Sequence, residues 1–184
     1  VFHASGHLAT VNTALMVAEG FADGIEMEGV PLDEGGRPLG ELQEPAAMSL
    51  ARTAMGRIAA AMNDPAAIDR LGLLARRAGC TTLTELGAVN VSRPDLRQMW
   101  LDAASNDDYP TRIVMFHNGS HGRYASHAEL VDAVVTMAAE STDRVRFGPV
   151  KIVLDGSIQG FTARLNWPGY LDDRPNGLWL YTPE

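Results

Sequence analysis

The sequence predicts a parallel α/β fold, and three observations predict it. From residue 65 onward, segments with helical spacing alternate with short apolar, β-branched segments. The strand-like segments start roughly 30 to 38 residues apart, the length of a strand plus the crossover that parallel pairing needs. Their near-continuous apolar character suits a sheet covered on both faces.

Each element has its own signal. Asp64-Pro65 pairs an N-cap with proline at the first helical position. Ile68, Leu71, Leu74 and Ala75 then give helical spacing, which Gly79 stops. Residues 80–86, with three threonines, form the first strand. Ser92, Pro94 and Asp95 open a helix running to about Ala104. Arg112-Ile113-Val114-Met115-Phe116-His117 is the second strand. Ser126 and Glu129 make a capping box before Leu130, Val131, Val134, Val135 and Met137. Residues 150–155 form the third strand. The three strands should lie parallel and in that spatial order, joined by right-handed helical crossovers. Residues 1–62, rich in Gly, Ala, Met and Glu, read as a mostly helical N-terminal insertion around glycine-rich loops, and residues 63–184 as the α/β part. Met48, Met55 and Met62, seven apart, predict a buried helix face.

Composition narrows the function. With 184 residues, 46% hydrophobic and 21% charged, the chain has the make-up of a globular protein. Its net charge of −8 and scattered basic residues, of which only Arg76 and Arg77 adjoin, argue against a nucleic-acid surface. No apolar run approaches the roughly 18 residues of a membrane span. A single cysteine, Cys80, allows no internal disulfide and fits a reducing, cytoplasmic setting. Val1-Phe2-His3 has neither an initiator methionine nor a basic leader and reads as the middle of a strand, so we expect a central fragment of a longer chain.

An open nucleotide-binding sheet would carry a glycine-rich turn after its first strand, and Leu86-Gly87-Ala88-Val89-Asn90 is not one. Polar residues instead stand at the strand ends: Glu85, His117 and Asp155. That is where (β/α)8 barrels place their chemistry. The expected architecture is therefore a partial barrel of about three parallel strands with crossover helices.

Four stretches carry a family resemblance. Val150-Lys151 followed by Asp155-Gly156-Ser157, Thr162-Ala163 and Tyr170 closely resembles a stretch of the amidohydrolase superfamily, in the branch that includes N-substituted formamide deformylases. Gly6-His7, Asn12 and Ala14-Leu15 resemble a second family motif, and Gly35-Gly36-Arg37-Pro38-Leu39-Gly40 a third. Gly79-Cys80-Thr81-Thr82 also fits. The motifs cover nearly the whole chain in family order. The resemblance implies a barrel hydrolase with one or two divalent ions, usually zinc, held by an H-x-H pair, a lysine, two later histidines and an aspartate. Only the lysine position exists here, at Lys151. The three strands would be barrel strands two, three and four, too few for a competent enzyme alone.

The site expectations follow. A lysine amine held in an apolar strand loses hydration, which favours its neutral form. A neutral amine can take up carbon dioxide to become a carbamate that bridges two metals, and the family's lysine is often carbamylated. The plainer alternative is a lysine that snorkels to solvent or pairs with Asp155. The resemblance also places His7 beside the active site and lets Asp155 act in catalysis, although Asp-Gly-Ser is ordinary turn chemistry too. Ser157, Glu85 and His117 are candidates to contact substrate. His117, His121 and His127 lack the spacing of a zinc finger. Residues 172–177 lack the downstream glutamate of a calcium loop.

The function expected is metal-dependent hydrolysis of a carbon–nitrogen bond, amide or formamide-like, through metal-activated water. The competing class is a non-catalytic scaffold module that folds by oligomerising. Expected partners are a small-molecule substrate and either further copies of the chain or the remainder of a longer one, with no nucleic acid and no membrane.

Overall fold

The computed structural model describes residues 1–119, 124–172 and 174–181. They form two compact units, Val1–Ile58 with Val153–Glu184, and Ala59–Ile152.

In the first unit, β1 (Leu8–Thr10) leads to α1 (Thr13–Glu19), whose N-cap Asn12 accepts a hydrogen bond from the Leu15 amide at 3.0 Å. The asparagine of the Gly6-His7…Asn12 motif thus has a local helix-starting role. Next come β2 (Glu41–Gln43), α2 (Glu44–Met48) and the start of α3 (Arg52–Met62). β1 and β2 pair antiparallel, with Leu8 opposite Gln43. Where a strand was expected at residues 1–3, Phe2 forms an isolated bridge to Ala9, flanked by backbone hydrogen bonds between Val1 and Thr10 and from His3 to Leu8. Ala9, Met16, Phe21, Val30, Leu42, Ala47, Met48 and Ala51 make the core. A short 3-10 turn (Ile158–Gly160) completes the unit's regular structure.

The second unit runs α4 (Pro65–Arg77), β3 (Thr82–Glu85), α5 (Pro94–Ala104), β4 (Arg112–Met115), β5 (His117–Asn118), α6 (His127–Ala138), β6 (Val145–Arg146) and β7 (Val150–Lys151). Asp64 caps α4 by accepting from the Ala66 amide. Ser126 caps α6 by accepting from the Glu129 amide, while the Glu129 carboxylate accepts from the Ala125 amide. β3, β4 and β6 lie parallel in that order, and β5 pairs parallel with β7. The mixed α/β architecture with parallel strands and crossover helices agrees with the sequence expectation. Trp100, Ile113, Met115, Val145 and Phe147 are central to the core. Arg97 reaches into this unit, donating to the Val91 carbonyl and, through Nε and Nη2, to both oxygens of Glu140, each at 2.7 Å.

The third strand departs from expectation. It starts at Val145, breaks at residues 147–149 and ends at Lys151, whereas residues 150–155 were expected. Pro149 has no N–H for the ladder. The break also contains an extra residue: Val145 pairs with Ile113, 32 positions earlier, but Val150 pairs with His117, 33 positions earlier. This is the two-against-one count of a β-bulge.

Two helical faces also differ. Ile68, Gly72 and Ala75 are the buried residues of α4, while Leu71 and Leu74 are exposed with Leu73. Gly72 takes the inward place because Tyr109 packs on it: a Cβ there would lie 2.9 Å from the tyrosine ring. Met48 is buried but Met62 is exposed, because the helix is interrupted after Met48 and restarts at Arg52. Ile113 and Met115 are buried, while Ile152 and Leu154 are exposed. No helix among the described residues is long and apolar enough to cross a membrane.

Candidate functional site

The six candidate residues fall into two sets, one in each unit.

In the second unit, Glu85, His117 and Lys151 stand at the carboxyl ends of three neighbouring parallel strands. The ladder continues past β4: the Phe116 amide donates to the Glu85 carbonyl, and the His117 amide donates to the Pro149 carbonyl, each at 2.8 Å. Asn118 lies opposite Lys151, and the Gly119 amide donates to the Lys151 carbonyl. His117 is buried at 1% exposure and packs its ring edge-on against Tyr124, with centroids 5.5 Å apart.

The Glu85 carboxylate turns onto the backbone after its own strand, accepting from the Ala88 amide at 2.7 Å and the Gly87 amide at 3.1 Å. Burial pushes its carboxyl above the ordinary range; those amides and the positive charge of Lys151 pull the other way without cancelling the rise. Such a carboxyl keeps its proton to higher pH, which is what a general acid needs.

In the first unit, His7 pairs with a residue that the sequence did not single out, Glu44, and the turn carrying Asp155 and Ser157 packs against it through Gly156. The β1–β2 register places His7 opposite Glu44 at the next step of the ladder, and the Glu44 amide donates to the His7 carbonyl at 2.7 Å. His7 Nδ1 lies 2.7 Å from Glu44 Oε2. The other carboxylate oxygen, Oε1, accepts from the Thr162 hydroxyl. Thr162 Oγ in turn accepts from the Ser157 amide at 2.9 Å. Glu44 is 1% exposed and holds a left-handed backbone, φ 67°, just before Pro45.

The Asp155-Gly156-Ser157 turn frames this carboxylate. A Cβ on Gly156 would lie 2.2 Å from Thr162 Oγ and 2.5 Å from Glu44 Oε1, so only glycine admits the approach. The Ser157 hydroxyl is turned inward, accepting from the Gly160 amide, and its carbonyl accepts from the Thr162 and Ala163 amides. Asp155 Oδ2 accepts from the Arg164 amide at 2.8 Å. The Tyr170 hydroxyl donates to the Ala163 carbonyl at 2.9 Å, so the motif's tyrosine braces the same turn.

Glu44 had one signal in the sequence: it is a carboxylate set just before Pro45-Ala46-Ala47-Met48 at the start of an apolar stretch. Its partner Thr162 is 118 residues away, a distance over which local pattern is silent.

Among the described residues, no three His, Cys, Asp or Glu side chains converge as a metal site would require. Lys151 beside Glu85 falls short of the three or four protein ligands that a zinc ion takes. The described residues therefore do not by themselves fit a divalent ion. His121, one of the three loop histidines, lies outside the described residues.

Residues 1–174 match the model of a family described as the amidohydrolase family. No curated protein and no solved structure gives a match.

Proposed function

From the premise that this chain belongs to the amidohydrolase family, whose members hydrolyse amide-type bonds and typically use divalent metals, we propose that it serves hydrolysis of the carbon–nitrogen bond of an amide or formamide-like small molecule. The observation that carries this is the placement of Glu85, His117 and Lys151 at the carboxyl ends of adjacent parallel strands, the edge at which barrel enzymes keep their reacting groups.

In this proposal Glu85, whose carboxyl is raised by burial, contacts the substrate as a hydrogen-bond donor. His117, buried, backs the strand ends at which the substrate sits, and within the other unit Asp155 fixes the turn that carries Ser157 through its bond from the Arg164 amide. Lys151 is the residue assigned to a divalent ion, zinc by family habit, with the remaining ligands outside the described residues. We place the protein in the cytoplasm, as part of a longer chain or as a homo-oligomer. The exposed Leu71, Leu73 and Leu74 on α4 support such a covered state. Sedimentation of the complete gene product as a monomer at high micromolar concentration would remove the homo-oligomer.

The test is amine release. The complete gene product, supplied with zinc or manganese, is incubated with a panel of N-formyl and N-acyl amines, and free amine is measured. Release is expected, lost in Lys151→Ala and reduced in Glu85→Gln, but kept in Arg93→Ala, whose side chain is exposed and only pairs with Asp95. No release from any member of the panel by a folded, metal-supplied protein would overturn the hydrolase proposal.

A further inference from the structure

We propose that Glu44 is a positioning residue for His7, holding the imidazole as its Nδ1–H tautomer so that Nε2 keeps a lone pair with which to accept a proton. The hydrolase proposal enters only in naming that proton's source, the water that attacks an amide-type carbonyl.

The geometry argues for it from several sides. An ionised carboxylate only accepts hydrogen bonds. The Thr162 hydroxyl, which accepts from the Ser157 amide, donates to Glu44 Oε1, much the nearer of the two acceptors it meets, the other being the Ser157 carbonyl at 3.4 Å. Glu44 Oε2 then faces His7 Nδ1 at 2.7 Å, a distance that requires one hydrogen between them. Placing that hydrogen on Nδ1 leaves Nε2 as the acceptor of a neutral ring. The two partners differ in burial, with side-chain exposures of 2% for Glu44 and 25% for His7, so the carboxylate is sealed while the ring remains reachable.

The fold also spends stability on this arrangement. Glu44 is held at φ 67°, a conformation that side-chain-bearing residues adopt rarely, and Gly156 forgoes a side chain to let the carboxylate in. A carboxylate placed only for stability would not need a strained backbone and a sealed pocket.

In the reaction, the water oxygen bonds to the carbonyl carbon while its proton passes to Nε2. The resulting imidazolium is neutralised by Glu44. The proton then moves to the nitrogen as the C–N bond breaks, releasing acid and amine and returning His7 to neutral.

The test reads the tautomer directly. The whole 184-residue chain, labelled with nitrogen-15, is examined by long-range imidazole proton–nitrogen correlation well above the usual histidine pKa of about 6.5. His7 is identified by the resonances missing from His7→Asn. The expected result is an Nδ1–H ring in the wild type. In Glu44→Gln, the Thr162 hydroxyl keeps its bond to the amide oxygen, which turns the amide NH2 toward Nδ1, and His7 should switch to Nε2–H. An Nε2–H ring in the wild type would overturn the proposal, whether or not Glu44→Gln folds. So would an Nδ1–H ring unchanged in a folded Glu44→Gln. In a gene product that releases amine, Glu44→Gln should also lower kcat by about 10- to 100-fold with KM little changed. The expected tautomers in a protein that hydrolyses nothing would leave the dyad standing and sink the hydrolase proposal; the wrong tautomers in an active protein would do the reverse.

Discussion

Gly156 and Thr162 are in contact across the turn that holds Glu44: a Cβ on the glycine would lie 2.2 Å from the threonine hydroxyl. Thr162 is 1% exposed and cannot step aside into solvent. Gly156→Ala should therefore destabilise the protein by about 1–3 kcal/mol, as overpacking does. Gly56, in α3 with nothing within 4 Å of its missing Cβ, is the contrast. Gly56→Ala should be neutral or stabilising by about 0.5–1 kcal/mol. Thermal melts that rank the two variants the other way would refute the packing account.

Thr162→Val removes the hydrogen that satisfies Glu44 Oε1 while keeping the side chain's shape. A buried acceptor left without its donor costs roughly 1–3 kcal/mol. Thr162→Ser keeps the hydroxyl and should recover most of that loss in urea unfolding. Equal stabilities for Val and Ser would mean that the hydroxyl contributes nothing there.

Arg97 and Glu140 make a two-pronged ion pair with one buried partner. Arg97→Ala should cost about 2–3 kcal/mol, below the roughly 3–5 of a fully buried pair because Glu140 is partly exposed. The hydrogen bonds from Arg97 hold the Glu140 carboxyl below its ordinary range. Its contribution is therefore present above the unfolded pKa and lost as pH falls through the lower folded value. A pH series should show the variant's deficit shrinking in acid; a deficit independent of pH would refute the ionic origin.

Glu85 behaves in the opposite sense. Its folded pKa is raised, chiefly by burial. The folded state then binds the proton more tightly than the unfolded chain. The benefit is complete below the unfolded carboxylate pKa and is lost as pH rises through the folded value. Relative to Glu85→Gln, wild-type stability should fall from pH 3 toward neutrality, a window set by the ordinary carboxylate value of about 4.3 and the raised one above it. A constant difference between the two proteins across that range would contradict the shift.

The 184-residue chain by itself should take up zinc weakly, because its described residues bring no three carboxylate, imidazole or thiolate groups together. Calorimetry showing tight one-to-one uptake, lost in Lys151→Ala, would reveal ligands that the described residues do not account for.

Much of the fold was legible because its signals are local. The proline starts of α4 and α5, the capping box of α6, the threonines of β3 and the apolar run of β4 each report on a few adjacent residues. Inward faces were harder to read. Leu71 and Leu74 have the right spacing for a core, but Tyr109 occupies the space and selects Gly72 instead. At the candidate site, Glu85, His117 and Lys151 were visible because strand ends are visible. Glu44 was not, since burying a carboxylate depends on Thr162 and Gly156, which arrive from more than a hundred residues away.

The interruption before Lys151 works as a frame shift in the sheet. In a parallel ladder, residues opposite one another project to the same side, and each step along a strand changes sides. The extra residue pairs Lys151 with Asn118; counted from Val145 without it, Lys151 would stand opposite Gly119, the next position along. The lysine therefore shares its side of the sheet with Asn118 and has its back to the side on which Ile113, Met115 and His117 are buried. Which side the amine takes is set by the number of residues between Arg146 and Val150, so the aim of the lysine is written into the spacing of its neighbours.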